Sequence, residues 1–298
     1  MPALATPTTL WLARTHAPDQ TPFAATTLRC ATAGEVPGPN QEWEPIADVV
    51  QALRASSEGA DLHAAVAEAQ ALGPAQTLFE DQAVLAPPLA PTKVLAIGRN
   101  YAAHAKELGN EVPSSPLSFF KPPSCLLASG QPLSLPRGYA RIDMEAELVL
   151  VIGRRARQIA AADAWAHVGA YLMGNDISCR DLQRSDKQWT RAKGFDGFGP
   201  VSAFARLSPA AELPPVDALR VRGLLGDELV QDGPTSAMIF DVPTLLEHLS
   251  ACMTLEVGDL IFTGTPAGVS ALEPGMVTRV ELDGPPSFAL APVVTPLT

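Results

Sequence analysis

The chain has 298 residues, which at roughly 150 residues per domain corresponds to about two domains or one large one. Its 47% hydrophobic and 18% charged residues are ordinary for a globular protein and exclude a disordered chain. Lys and Arg number 21 against 32 Asp and Glu, and the resulting net charge of −11 argues against a non-specific binder of nucleic acid or anionic membranes.

The sequence pattern predicts no membrane segment and no export signal. The longest uninterrupted apolar run, residues 148–152, is far shorter than the ~20 residues of a membrane span. The first residues lack a basic stretch followed by a long apolar one, so we expect no secretory signal. The four cysteines are widely spaced and form no CxxC pair, which is typical of a reducing compartment. We therefore expect a soluble cytoplasmic protein.

The first ninety residues are rich in Ala, Thr and Pro and contain few chemically reactive groups. Helical patterns occupy residues 46–55 and 61–72, the second of them rich in the strong helix former Ala. Pro87, Pro88 and Pro91 follow, and proline continues neither a helix nor a central strand. We place a domain boundary there, with a small N-terminal domain over residues 1–90 and a catalytic domain over residues 91–298.

The second part alternates short strands and short helices. Strands are predicted at residues 93–97, 144–152 and 260–263, and the apolar second half of 144–152 predicts burial on both faces. Helices are predicted at residues 163–173 and, starting at Asp241, 241–253. Asn100 is the predicted cap of a short helix that ends at Leu108 before Gly109. This mixture predicts an irregular α+β fold and not a doubly wound sheet.

Carboxylates are concentrated in one of these strands. Because alternate residues of a strand share a face, Asp143, Glu145 and Glu147 lie together at the entry to an apolar strand. Such a cluster needs protons, bases or a cation, and oxygen ligands suit Mg²⁺ or Mn²⁺ better than zinc. The alternative is a solvated edge strand. Asp176 follows as a candidate third ligand, or as an ordinary turn-capping residue.

A basic segment follows the acidic one. Five bases and two acids lie between residues 180 and 193; the bases are Arg180, Arg184, Lys187, Arg191 and Lys193. In an acidic protein this local inversion suggests an anionic ligand, which Arg can hold with two hydrogen bonds. For Arg184, Lys187 and Arg191 we prefer a solvated helix face. The glycine-rich sequence after Lys193 places that lysine on a tight loop.

His104 and Glu107 are three residues apart and share one face of the predicted short helix. A carboxylate beside a histidine orients the ring and raises its basicity, as activation of water requires. The alternative is an ordinary surface pair. Cys179 has no convincing general base nearby in the sequence and is interpreted as a packing residue.

Seven segments in order resemble the fumarylacetoacetate hydrolase family. They are GRNYAAHAKELG (98–109), LSFFKPPSCLL (117–127), IDMEAELVLVIG (142–153), YLMGNDISCRDLQ (171–183), KGFDGFGPV (193–201), QDGPTSAMIF (231–240) and LEVGDLIFTGTPAGV (255–269). The resemblance implies a metal-dependent enzyme that acts on 2-oxo acids, usually as a homodimer. It also implies a mixed β-roll catalytic domain preceded by a small N-terminal α+β domain.

The resemblance also assigns roles to individual residues. It implies that Glu145, Glu147 and Asp176 hold one divalent cation, Mg²⁺ or Mn²⁺, and that His104 and Glu107 activate water from a mobile lid helix. Arg180, Gln183 and Lys193 are the implied substrate contacts, with Lys193 also stabilising charge during the reaction. Lys121 and Thr265 are implied to be further substrate-pocket residues.

The expected function is hydrolysis of a C–C bond in a 2,4-dioxo acid of the acylpyruvate or fumarylpyruvate type. His104 would deprotonate water, and the hydroxide would attack the distal carbonyl to release a pyruvate enolate. The alternative within the family is decarboxylation of oxaloacetate, or isomerisation or decarboxylation of another 2-oxo acid, at the same site. A non-catalytic binding protein is a third hypothesis, and the complete set of acids and the intact HxxE pair argue against it.

Overall fold

The computed structural model describes residues 9–16, 27–33, 36, 44–46, 49–55, 61–71, 84–208 and 216–298. Within these residues the strands are β1 (Thr9–His16), β2 (Thr27–Ala33), β3 (Glu44–Ile46), β4 (Val84–Ala86), β5 (Val94–Gly98), β6 (Leu117–Lys121), β7 (Leu126–Ala128), β8 (Ile142–Met144), β9 (Ala146–Ile152), β10 (Val168–Asn175), β11 (Ser178–Cys179), β12 (Gly199–Val201), β13 (Ala205–Leu207), β14 (Arg220–Leu225), β15 (Glu228–Pro234), β16 (Leu260–Phe262), β17 (Ser270–Ala271), β18 (Val277–Asp283) and β19 (Val293–Pro296).

The α-helices of the same residues are α1 (Val49–Ala55), α2 (Leu62–Ala71), α3 (Ala102–Glu107), α4 (Arg180–Asp186), α5 (Thr190–Lys193) and α6 (Val242–Cys252). The predicted α+β class is therefore confirmed. No helix among the described residues has the length and apolar character needed to cross a membrane.

A large mixed sheet carries the fold. Its principal path runs β3-β2-β1-β13-β10-β9-β16-β5-β6, and two smaller sheets, β11-β8-β17 and β15-β14-β18-β19, pack beside it. Along β9, Leu148 and Leu150 belong to one buried cluster while Val149 and Val151 belong to another, so apolar side chains cover both faces. The prediction that this strand is buried on both sides is confirmed.

The first strands of the chain extend this same sheet. β1 pairs antiparallel with β13, where Trp11 faces Arg206, and β4 pairs with β1. α2 begins and ends within one residue of its prediction. α1 begins only at Val49, because Glu44–Ile46 forms a strand against β2. Hydrogen bonds of one sheet join the segments on either side of residue 90. The domain boundary proposed there remains a prediction.

The helix predicted at residues 163–173 is wrong in its second half. A 3₁₀ helix covers Ala161–His167, and the chain then enters β10, which lies between β9 and β13. Every residue of β10 is buried. A strand with two buried faces shows no alternation of polar and apolar residues, so its apolar spacing resembled that of a helix.

The acidic strand is interrupted at Glu145. β8 pairs with β11 and β17 in a small sheet, whereas β9 belongs to the large one. At the junction the Glu145 N–H donates to Asn175 Oδ1 at 2.9 Å, and the Asp176 N–H donates to the Glu145 carbonyl at 2.8 Å. The change of sheet thus brings Asp176 beside Glu145.

Asn100 does not cap the short helix, contrary to the prediction. α3 begins after Tyr101 without a side-chain cap, and the Asn100 amide instead donates to the carbonyls of Phe240 and Thr263. Gly109 ends the helix as predicted, with a left-handed φ of 67°. Asn100 therefore fixes the start of α3 to two distant segments of the chain.

The remaining predicted elements are confirmed. α6 begins where expected, and Asp241 Oδ1 accepts a hydrogen bond from the Thr244 N–H at 3.0 Å. β16 is a buried strand that leads into the Gly264–Pro266 turn and pairs with both β5 and β9. The turn after β16 reaches the acidic strand, because the Gly264 N–H donates to Glu147 Oε2 at 2.7 Å.

Candidate active site

Three buried carboxylates form the floor of the site. Glu145, Glu147 and Asp176 each offer an oxygen, and these oxygens lie within 4.8 Å of one another. The antiparallel pairing of β9 with β10 produces this arrangement, because Gly174 faces Glu147 and Asn175 faces Ala146. All three acids are almost completely buried, so the solvated edge strand considered from the sequence is excluded.

The charge balance around these acids fits a divalent cation. Four buried carboxylates, which include Asp143, meet three buried bases. Glu147 is compensated least: among the described residues its hydrogen-bond donor is the Gly264 N–H, at 2.7 Å. Burial, followed by the charges of Asp176 and Glu145, raises the pKa of Glu147 well above its usual range. An all-oxygen donor set with excess negative charge suits Mg²⁺ or Mn²⁺.

Two lysines contact the acids from different sides. Lys193 Nζ donates to Glu145 Oε2 at 2.6 Å and to Asp176 Oδ2 at 2.5 Å, and it lines the cavity. Lys121 Nζ donates to Asp176 Oδ1 at 2.7 Å and to the carbonyls of Phe198 and Lys193. Neither Lys121 nor Asp176 lines the cavity itself, so Lys121 contacts the site through Asp176, and its place in a substrate pocket remains a prediction.

Arg180 links the acidic floor to the pocket. Its Nε donates to Asp143 Oδ2 and its Nη1 to Gln183 Oε1, both at 2.8 Å. Its Nη2 lies 2.7 Å from Glu145 Oε1 and forms an ion pair with that buried carboxylate. Asp143 is thus a partner of arginines and lies outside the group of three acids.

The charges on this floor are strongly interdependent. Burial alone raises the pKa of the Glu145 carboxyl, but Lys193 and Arg180 outweigh it and hold that pKa well below its usual range. Burial likewise acts to lower the pKa of Lys193, and the charges of Asp176 and Glu145 outweigh it, so the pKa is raised. Lys193 is therefore a cation at neutral pH.

The predicted His104–Glu107 pair lies at the same site. His104 is buried, with its Nε2 4.0 Å from Glu145 Oε1 and its Nδ1 3.5 Å from Glu107 Oε2. That Nδ1 has no hydrogen-bond partner, while both Glu107 oxygens lie 3.1 Å from the Gly268 N–H. Burial of the ring lowers the pKa of His104, which keeps the imidazole neutral and able to accept a proton.

A cavity of about 270 Å³ opens above the floor. It brings together His104, Glu145, Glu147, Arg180, Gln183, Lys193 and Thr265, all predicted from the sequence. Thr265 Oγ1 donates to the Ala146 carbonyl at 2.9 Å and accepts from Gln231 Nε2 at 2.7 Å. Of the bases interpreted as solvated, Lys187 and Arg191 are exposed, whereas Arg184 lies at the rim of the cavity. Cys179 is buried, consistent with packing.

Sequence reasoning missed part of the wall, namely Arg99, Arg141, Trp189 and Asn110. In the sequence, Arg99 was part of a matched segment but had no feature that marked it as a site residue. Its left-handed φ of 56° could not be predicted, because that conformation is expected from sequence only at glycine or asparagine. Arg141 directly precedes the acidic strand, and a base next to three acids was the available clue.

A side chain at residue 98 should destabilise the fold, because Trp189 occupies the space beside Gly98. A Cβ at residue 98 would lie 2.8 Å from Trp189 Cη2 and closer still to Cζ3. Gly98→Ala should therefore lower the free energy of unfolding by about 1–3 kcal/mol, measured by urea denaturation. Trp189→Leu in the same chain should recover part of that loss; no recovery would place the strain elsewhere.

The short helix α3 should be dynamic in the absence of a ligand. It has six residues, no side-chain cap, and an incomplete contact between His104 and Glu107. With Mg²⁺ and oxalate we expect slower amide hydrogen exchange over residues 102–108, while α6 remains unchanged as an internal control. Equal exchange with and without oxalate would contradict this expectation.

Comparison with known proteins relates the chain to one enzyme family. The family model described as fumarylacetoacetate (FAA) hydrolase C-terminal matches residues 93–291. The mitochondrial oxaloacetate decarboxylase of Dictyostelium discoideum is 42% identical over 197 residues, which are 64% of this chain and 89% of that protein. The mitochondrial oxaloacetate tautomerase of Oryza sativa subsp. japonica is 40% identical over 202 residues, 65% of this chain and 88% of that protein.

A solved structure resembles the chain over almost its whole length. The crystal structure of 5-carboxymethyl-2-hydroxymuconate delta-isomerase from Mycobacterium smegmatis is 30% identical, with a TM-score of 0.72. The match covers 97% of this chain and 98% of that one, and so extends beyond the roughly two thirds of the chain that the two curated relatives cover.

Proposed function

Since the chain belongs to the fumarylacetoacetate hydrolase family, we propose that it is a divalent-metal-dependent enzyme that interconverts 2-oxo acids through their enolates. The reactions are decarboxylation or tautomerisation of oxaloacetate, or isomerisation of a related unsaturated 2-oxo acid. One observation carries the proposal: a buried group of three carboxylates adjoins a buried histidine and two fixed cations, and two of these carboxylates line one cavity together with the histidine and the cations.

The chain's own residues divide the chemistry among them. A bound Mg²⁺ or Mn²⁺ supplies Lewis-acid polarisation of the 2-oxo group. The Arg180 guanidinium, held by Asp143 and Gln183 at the cavity wall, binds the neighbouring carboxylate of the substrate. The Lys193 ammonium lies where negative charge develops on the enolate oxygen, and the His104 imidazole moves a proton to or from the adjacent carbon.

The named relatives favour this proposal over the C–C hydrolysis predicted from the sequence. Two relatives with 40–42% identity are named an oxaloacetate tautomerase and an oxaloacetate decarboxylase, and the structural relative is named an isomerase. The three names describe a decarboxylation, a tautomerisation and an isomerisation, and none of these reaction types consumes water.

Hydrolysis of a 2,4-dioxo acid is the second candidate, and the placement of His104 beside Glu107 favours it. If α3 moves so that Glu107 accepts a hydrogen bond from His104 Nδ1, the opposite ring nitrogen can deprotonate a water molecule. That water would attack the distal carbonyl, and the C–C bond would break to leave the pyruvate enolate.

Two substrates distinguish the candidates. With Mg²⁺ or Mn²⁺ present, we expect oxaloacetate to be consumed, with keto–enol interconversion followed by ultraviolet absorbance and CO₂ by a coupled assay. Acetylpyruvate should be cleaved much more slowly. Rapid loss of acetylpyruvate to pyruvate and acetate without turnover of oxaloacetate would overturn the proposal in favour of the hydrolase.

The proposal includes the physical setting of the enzyme. We propose one Mg²⁺ or Mn²⁺ for each chain, a homodimer, and action in the cytoplasm on a small 2-oxo acid. Metal analysis of the purified protein and light scattering test the first two of these statements directly, and a metal-free monomer with full activity would contradict both.

A further inference from the structure

We propose that Arg99 and Arg141 form a second carboxylate site at the mouth of the cavity, so that the enzyme selects 2-oxo acids bearing a distal carboxylate. This inference rests on the proposed function and specifies its substrate class. Arg99 and Arg141 together are the outer site.

The charged residues of the cavity wall lie at two depths. Arg180 and Lys193, whose side chains are 4% and 2% exposed, meet the acids at the floor. The Arg141 side chain is 47% exposed and Arg99 is partly buried, so both lie nearer to solvent. A ligand held at the floor therefore extends its far end toward these two arginines.

The side chain of Arg99 makes no hydrogen bond or ion pair with any described residue. Its guanidinium carbon lies 5.7 Å from the centroid of the Trp189 ring, and Trp189 in turn packs edge-on against Phe119. A cation held over an aromatic face keeps its N–H groups free for an anion in the plane of the guanidinium. The cavity wall thus contains an oriented arginine that lacks a carboxylate partner.

The backbone of Arg99 supports a functional role. Its φ of 56° lies in the left-handed region, which is costly for a side chain other than glycine, asparagine or aspartate. Such strain persists where surrounding contacts impose it, as here, where residue 98 is pressed against Trp189 and Asn100 is tied to two carbonyls. These contacts hold the backbone of Arg99 at the cavity wall, which its side chain lines.

Arg141 also lines the cavity, where Asp143 holds it. Its Nε donates to Asp143 Oδ1 at 2.8 Å, while Arg180 Nε donates to the other oxygen of the same carboxylate at 2.8 Å. One buried aspartate therefore holds two arginines of the cavity wall, the buried Arg180 and the half-exposed Arg141. The terminal nitrogens of Arg141 make no hydrogen bond within the described part of the chain.

Size and charge agree with a short dicarboxylate. The cavity of about 270 Å³ is below the roughly 300–1,000 Å³ typical of sites for drug-sized ligands. Five basic residues but two carboxylates line it, in a protein whose net charge is −11. A guanidinium pair that holds the distal group as an anion also keeps that group on the substrate, which favours proton transfer over loss of CO₂ from it.

Binding of matched acids tests the outer site without relying on turnover. The full-length protein with Mg²⁺ is titrated calorimetrically with 2-oxoglutarate and 2-oxoadipate, and with 2-oxovalerate and 2-oxohexanoate, which have the same lengths but no distal carboxylate. Oxalate serves as the probe of the floor alone. We expect the wild type to bind the better dicarboxylate at least about tenfold more tightly than its matched monocarboxylate.

Arg99→Gln and Arg141→Gln should each reduce that preference to about threefold or less, with oxalate affinity within about twofold of wild type. Arg155→Gln removes the same charge from an exposed pair with Glu256 and should leave the preference intact. The inference is overturned if the wild type shows no preference, if the preference survives the double substitution, or if oxalate binding falls as much as dicarboxylate binding. Failure of oxalate and every 2-oxo acid to bind would instead overturn the proposed function itself.

Discussion

Glu147→Gln should abolish turnover and reduce the affinity for Mn²⁺ by at least about a hundredfold. Glu147 is the acid of the floor with the least compensation, so its carboxylate has the most to gain from a cation. The amide keeps the shape and the acceptor for the Gly264 N–H but removes the charge. Calorimetric titration with Mn²⁺ measures the affinity, and the oxaloacetate assay measures the activity.

The same substitution should have the opposite effect on the metal-free protein. A buried carboxyl whose pKa is raised destabilises the folded state at neutral pH, so Glu147→Gln after EDTA treatment should have a Tm a few degrees above that of the metal-free wild type. Mn²⁺ should raise the Tm of the wild type but not that of the variant. Glu228→Gln, at an exposed position of β15, is the control for the charge change.

This pair of measurements separates a metal ligand from a structural acid. A residue that only supports the fold would lower the Tm of the metal-free protein when replaced. Undiminished activity and Mn²⁺ affinity in Glu147→Gln would refute the assignment of the three acids as a metal centre.

The sequence was most informative where chemistry and local pattern coincide. The pattern of residues singled out Glu145 and Glu147, because carboxylates that precede an apolar strand need compensation of their charge. Asp176 and His104 were only candidates by pattern, and the ordered resemblance to a family assigned their roles. The burial of the three acids confirms the part of the argument that required compensation of their charge. The burial of β9 followed from five successive apolar residues.

The sequence was least informative where tertiary pairing decides the outcome. β10 was mistaken for part of a helix because a central strand shows no alternation, and Asn100 was assigned to a helix cap although its partners are 140 and 163 residues away. The placement of Lys121 behind Asp176 depends on the change of sheet at Glu145, for which the sequence offers no local signal.

His104→Ala should lower kcat by about 10² to 10⁴, the usual contribution of a positioned acid or base. Oxalate affinity should change by less than about twofold, because Arg180 and a cation bound by the three acids would hold the inhibitor. His248→Ala, an exposed histidine of α6, is the control and should retain full activity. Glu107→Gln should also reduce kcat, since an amide supports an imidazolium poorly.

The pH dependence provides an independent test of the same residue. Burial lowers the pKa of His104, against the opposing effect of Glu145, and the neutral ring is the form that accepts a proton. For a base, kcat/KM should therefore rise with pH through a pKa below histidine's usual 6.5 and then level off, and His104→Ala should lose this rise. A kcat within about twofold of wild type in His104→Ala would make His104 a packing residue. Enolate chemistry assisted by Lys193 and Arg180 would then remain possible, whereas hydrolysis would lack its means of activating water.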